Sequence, residues 1–394
     1  MDGGMISRGA RALPARSVAH KAAWLAACAL LLCACTNKAS PAASLPDLSA
    51  VRAKLAFTCT HEADRLPPLD PQADSLFHYA NYLEKRTPKP DYNDIARYYR
   101  IAAAYGHYKA NSNLQKLVSE GYADSPNPAK ETIALAAQLI DQGVPGGYYD
   151  IGYYLDDGYG LKQDSEMALR YFRKGADLGS PEAQNYVADK LSPIDIAPVI
   201  GRQMYQCAVD QGFGKAAATL GVDLQTDKLY SEAVKTFQKG VAAGNPMSAS
   251  FLKSGFNGPP PTEQLYYMAL PYDPERVRRY ELIWKFLTKN TDGGRNPKLP
   301  DIEQIVPLPP APLPSWDSTF QWQKEHDAAV PPPKPADELI QRLSKQKNLD
   351  PATGLPVPPP PRLPLGSTAQ TGPGSANGSK GQSTLLVLLA GWPS

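Results

Sequence analysis

Five glycines, at positions 106, 143, 179, 212 and 244, follow one another at intervals of 37, 36, 33 and 32 residues. Each stands at the same point of one pattern. Seven residues before them come Tyr99, Ala136, Phe172, Tyr205 and Phe237, and eight residues after them come Leu114, Ile151, Val187, Leu220 and Leu252. Four residues after each glycine the side chain is small: Ala110, Gly147, Ala183, Ala216 and Ser248. An apolar stripe at helical spacing that ends on glycine predicts a helix closed by a left-handed cap, and the second stripe predicts the helix that follows. A helix–loop–helix unit of this length cannot bury its apolar face alone and must stack on copies of itself. The fold class predicted is all-α: a right-handed helix-loop-helix repeat solenoid over 73–255 with about five helix pairs, counting a degenerate unit near Asp74, followed by a largely irregular proline-rich region.

The grammar changes after Gly258. Of 40 prolines, 23 fall between 257 and 364, too many for continued helix stacking, so 256–364 reads as a separate C-terminal domain. Within it, Glu275–Asn290 places Val277, Tyr280, Ile283, Trp284 and Leu287 on one helical face, and a short helix is predicted near Pro335–Gln346. Trp316, Phe320 and Trp322 bring more apolar surface than a flexible linker carries. They are expected to strap the segment onto the last repeats, with a partner site as the alternative. The tail 365–394 is rich in Gly and Ser and reads as disordered.

At the other end, Arg8, Arg11, Arg16 and Lys21 precede an apolar run, Ala22–Leu32, shorter than the roughly 20 residues of a membrane-spanning helix. Leu32, Ala34 and Cys35 resemble the end of a bacterial lipoprotein signal, which implies cleavage after residue 34 and a lipid on Cys35 at the head of an arm, 35–72. Thr36 in place of Asp resembles outer-membrane sorting, so the expected location is the periplasm, anchored to the outer membrane. Cleavage removes Cys28 and Cys33, leaving Cys59 and Cys207 in an oxidising compartment, where they are free to form one disulfide or to remain separate thiols.

The sequence holds none of the usual catalytic or cofactor signatures: no G-x-S-x-G, no H-E-x-x-H, no Walker phosphate loop and no Cys/His cluster at ligand spacing. His61, His78 and His107 read as surface or packing residues, and Asp156-Asp157 as a solvated turn. Gly212-Phe213-Gly214-Lys215 lacks the Ser/Thr of a phosphate cradle. The expectation is a non-enzyme with no cofactor and no metal site. A formal net charge of +2 leaves no basic field for nucleic acid. Partner contact is expected instead at Tyr148, Tyr149, Tyr153, Tyr154 and Tyr159 with Asp156 and Asp157, because tyrosine supplies much contact area for little side-chain entropy. Tyr153 and Tyr154, off the Ile151/Leu155 stripe, are expected to be exposed; Trp316, Phe320 and Trp322 are further candidates.

Ile151-Gly152, Gly158-Tyr159-Gly160-Leu161, Asp164, Ala168, Tyr171-Phe172 and Lys174 resemble the Sel-one-like subtype of tetratricopeptide repeat, which implies a protein-binding surface. The segments FTCTHEADRLPPLD around Cys59, NDIARYYRIAAAYGHYKANSNLQ (93–115) and DPERVRRY to DPATGLP (273–356) are together similar to a proteobacterial lipoprotein family found beside type VI secretion spike genes and lipase-like effectors. That resemblance implies an immunity protein whose partner is a lipase-type effector. The alternative from the residues is a cell-envelope scaffold of the same fold, with no toxin partner.

Overall fold

The computed structural model describes residues 55–86, 89–192, 196–292 and 296–358. The signal segment, Cys35 and the tail 365–394 lie outside the described residues. Among the described residues the chain opens with five helix pairs, α1 (Pro71–Arg86) with α2 (Tyr92–Ala104), α3 (Tyr108–Ser119) with α4 (Pro128–Asp141), α5 (Gly146–Asp157) with α6 (Ser165–Leu178), α7 (Pro181–Leu191) with α8 (Pro198–Asp210), and α9 (Gly214–Thr226) with α10 (Tyr230–Ala242), and α11 (Pro246–Phe256) stacks after them. Four helices follow: α12 (Pro274–Asp292), α13 (Ile302–Ile305), α14 (Gln321–Ala328) and α15 (Asp337–Gln346). Among the described residues there is no strand, only an isolated bridge between Leu349 and Pro356. The molecule is an all-α repeat solenoid. The unit near Asp74 is α1 with α2, so the first pair begins at Pro71.

Local chemistry explains the helix ends. Asp91, His107, Asn127, Asp164, Ser180 and Asn245 each accept a backbone N–H of the turn they precede. Pro128, Pro181, Pro198 and Pro246 open their helices, where a missing N–H removes no helical bond. The five periodic glycines all take the left-handed conformation, with φ between 76° and 114°. His107, read from sequence as surface or packing, is buried as a cap: its Nδ1 accepts from Ala110 N while its ring stacks on Phe77 at 4.4 Å.

The five stripe residues Tyr99, Ala136, Phe172, Tyr205 and Phe237 are all buried. Small residues let neighbouring helices touch. A Cβ on Gly147 would stand 2.7 Å from Leu139 Cβ and 2.8 Å from the Ile140 nitrogen, so α4 and α5 cross where only glycine fits. Two apolar clusters result. The smaller joins α1, α2 and α3; the larger runs from α4 to α13 and Phe320.

The C-terminal region serves both clusters. Tyr280, Ile283 and Leu287 of α12 are fully buried, and Leu299, Ile302, Ile305 and Val306 extend that core. Beyond α14 the chain returns to the beginning of the solenoid. Ile340 and Leu343 of α15 are buried in the first cluster, and Tyr105 donates to the Leu343 carbonyl at 3.0 Å. The strap expected on the last repeats concerns Trp316, Phe320 and Trp322, and the sequence assigns α15 no site. The amphipathic face of α15 finds cover on α1 and α2, so the region spans from the last helices to the first.

Candidate functional site

The first helix of the third repeat, α5, carries most of the sequence-predicted contact residues. Tyr153 is 49% exposed, and the neighbouring Asp157 carboxylate raises its phenol pKa. Asp157 is exposed and Asp156 half-buried, its Oδ2 accepting from Tyr186 of α7 at 3.3 Å. Tyr148, Tyr149 and Tyr159 are half-buried: Tyr148 lies against Tyr171, Tyr149 against Phe172, and Tyr159 against Tyr154. Burial pushes the Tyr149 phenol up to about 12.

Tyr154 corrects the sequence expectation of exposure. It is 9% exposed, and its hydroxyl donates to Gln115 Oε1 of α3 at 3.0 Å. Three residues after Ile151, it shares the inward face and reaches back to the preceding repeat. The C-terminal aromatics pack as the strap expected of them, onto α12. Phe320 is 8% exposed and stacks on Phe286 of α12 at 3.9 Å. Trp322 lies edge-on to Phe286 and stacks on His326, and Trp316 packs beside Phe320 under Arg278 and Arg279. The three aromatics strap the segment down; Phe320 is removed from any contact surface, and the two tryptophans stay half-exposed.

An extended arm lies beside the tyrosine face, a placement the sequence did not reveal. Cys59 is joined to Cys207 of α8, closing a sequence separation of 148 residues. Thr60 Oγ1 donates to the Asp177 carbonyl, Gln184 donates to the Thr60 carbonyl, and Arg173 to the carbonyls of Leu55 and Ala56. Glu62 N donates to Gln211 Oε1, and Glu62 Oε1 accepts from Gly146 N at the start of α5. The arm thus runs across four consecutive helices, α5 to α8. Gly179 makes room for it, because a Cβ there would lie 2.6 Å from the His61 carbonyl carbon.

Where the arm meets α5 and α7, three carboxylates influence one another. Asp150 is pushed up to about 7 by burial, opposed by the Gln115 amide and reinforced by the charges of Glu182 and Glu62. Glu62 is likewise pushed up to about 7, by burial first and Glu182 second. Near neutral pH Glu62 and Asp150 are therefore only partly ionised, with Tyr108 and Tyr149 close by. The sequence signal was weak, since Glu62, Asp150 and Glu182 are far apart in the chain.

The fold also assembles a Cys/His group that spacing did not predict. Cys59, His61 and Cys207 place one ligand atom each within 4.8 Å of one another. The only local hint is the Cys59-Thr60-His61 spacing. Elsewhere, a pocket of 470 Å³ opens between α2, α4 and the turn Leu349–Pro356. Arg100 fastens that turn, donating to Glu131 at 2.7 Å, to the Thr353 carbonyl at 3.1 Å and to the Asp124 carbonyl at 2.7 Å.

A stacked-helix scaffold with a tyrosine and carboxylate face defines a Sel-one-like repeat protein. A family model described as a domain of unknown function (DUF6396) matches residues 248–357, from the last repeat helix to the end of the described chain. Among solved structures, the Pseudomonas aeruginosa protein PA5086 is 30% identical over 65% of this chain and 96% of its own, with a TM-score of 0.53. Immunity protein Pa5087 of the same organism is 29% identical over 65% and 96%, and immunity protein PA5088 is 26% identical over 65% and 95%, both at TM-score 0.53. No curated protein sequence matches the chain. The chain belongs to the family of PA5086.

Proposed function

We propose that this protein is a periplasmic immunity protein, held to the outer membrane through a lipid on Cys35, that binds and neutralises a lipase-type effector delivered by type VI secretion. The observation that carries the reading is the 29% identity to immunity protein Pa5087 over 96% of that chain. The lipoprotein-like signal and the resemblance of 273–356 to lipoproteins found beside lipase-like effectors support the compartment and the effector class. Neutralisation needs contact, not turnover. The face formed by Tyr153, Asp157 and the half-buried Tyr148, Tyr149 and Tyr159 supplies aromatic area ringed by carboxylates, the chemistry of an interface centre.

Co-expression tests it. The chain, directed to the periplasm with a candidate lipase-type effector, is expected to relieve the effector's toxicity and to co-purify with it. If no effector from the same genome is bound or relieved, while resident envelope proteins are recovered, the chain is an envelope scaffold.

A further inference from the structure

The Cys59–Cys207 bridge ties the arm to α8, and beside it stands the His61 imidazole. Among the described residues that ring makes no hydrogen bond, ion pair or ring contact of its own. Gly179 and the bonds at Thr60 and Glu62 fix the arm on both sides of it, so the ring is held beside the two sulfurs by backbone placement. We infer that in the reduced chain Cys59, His61 and Cys207 bind one zinc ion, which replaces the disulfide as the clip between arm and solenoid.

Two thiolates and an imidazole are a zinc donor set, with a fourth position left for water. Zinc–sulfur bonds of about 2.3 Å in tetrahedral geometry hold two sulfurs about 3.8 Å apart. The two Cα atoms, 5.6 Å apart, permit that separation by side-chain rotation. The electron balance is simple. A dithiol reductant gives two electrons and two protons to the bridge and becomes a disulfide itself, leaving two thiols. Zinc then displaces both thiol protons to solvent, while neutral His61 contributes a lone pair and the metal keeps its oxidation state. A disulfide oxidant runs the sequence backwards, taking two electrons from the thiolates, closing the bridge and releasing zinc. Thiolates bound to zinc are also shielded from attack, so the metal form protects the pair before the bridge is made.

The test uses the full chain with Cys28, Cys33 and Cys35 changed to Ser, so that Cys59 and Cys207 are the remaining cysteines. Zinc is titrated against a chromophoric chelator without oxygen. The expected result is one equivalent bound by the reduced chain and none by the oxidised chain. His61→Ala should weaken binding at least about 10-fold, the scale seen even for outer-sphere changes. The same variant should still form the disulfide in full yield, which separates a lost ligand from a lost fold. Cobalt(II) in place of zinc should give tetrahedral visible bands that depend on His61. In hydrogen exchange, reduction should deprotect residues 55–62 and added zinc should restore protection. Binding no tighter than in a Cys59→Ser/Cys207→Ser chain, or undiminished in His61→Ala, overturns the proposal.

Discussion

The repeats and the C-terminal region share one core but are held in it by opposite means. In the repeats, backbone groups pair inside each helix, so neighbouring helices meet chiefly by shape, with side-chain bonds such as Tyr154 to Gln115 added to it: a stripe aromatic such as Phe172 packs against Tyr186 at 3.8 Å, and a glycine such as Gly147 stands where two helices touch. In the C-terminal region, prolines and extended backbone leave carbonyls with no partner in their own segment. The neighbours must therefore bring donors. Arg276 reaches the carbonyls of Pro307 and Ala311, Arg279 that of Pro314, Gln238 that of Val306, and Gln225 that of Leu265. Stacking by shape can be copied from unit to unit, whereas donors placed against one irregular path cannot. That is why only the first half of the chain repeats.

Four changes would break or sharpen this contrast, beginning with the largest. Phe237, fully buried and stacked on Phe251 at 4.9 Å, belongs to the shape-packed half; Phe237→Ala should lower unfolding free energy by about 3–5 kcal/mol in urea denaturation. Arg279→Met keeps the stem but strands the Ile305 and Pro314 carbonyls. It should remove about 1–3 kcal/mol, with the loss of hydrogen-exchange protection confined to 297–320. An equal loss of protection in α6–α9 would mean that the two regions do not differ in the way described.

The third change is in pH. The Asp150 carboxyl titrates at about 7 in the folded chain against an ordinary 3.8, so the fold favours its protonated form. That contribution is fully present below the unfolded pKa and is lost as pH rises through 7. Glu62, also raised to about 7, adds to the same trend, so the Tm should fall between pH 5 and pH 7 and level off above, and Asp150→Asn should make the fall shallower without abolishing it. A Tm that rises over this window instead would show that Asp150 is not held neutral. The smallest stability effect is expected at Tyr153, 49% exposed on the repeat surface. Tyr153→Ala should change stability by less than about 0.5 kcal/mol. Its affinity for a bound effector should fall about 30-fold or more if it is an interface centre, measured by calorimetry with the co-purified partner.

Local features were readable wherever a residue's role depends on near neighbours in the chain. The glycines of the repeats, the stripe aromatics, the helix over 275–290 and the short helix ending at Gln346 could all be read from spacing. Tyr154 is not legible from the Ile151/Leu155 stripe, because a residue at i+3 shares the inward face without belonging to that pair. The contact candidates on α5 were legible as chemistry but not as exposure. Trp316, Phe320 and Trp322 were legible as too apolar for a linker, and they pack together near α12.

The sequence by itself determined the repeat, because a period of capped helices is a local property that each unit writes out in full. It determined that the C-terminal region would not repeat, because proline removes the N–H groups from which each helix is built. Only the tertiary structure decided that α15 returns to α1 and α2, that the arm crosses α5 to α8, and that Cys59, His61 and Cys207 meet. Those contacts join residues about 150 to 250 positions apart. Their positions are set by the summed curvature of every helix pair between them, which no local pattern encodes.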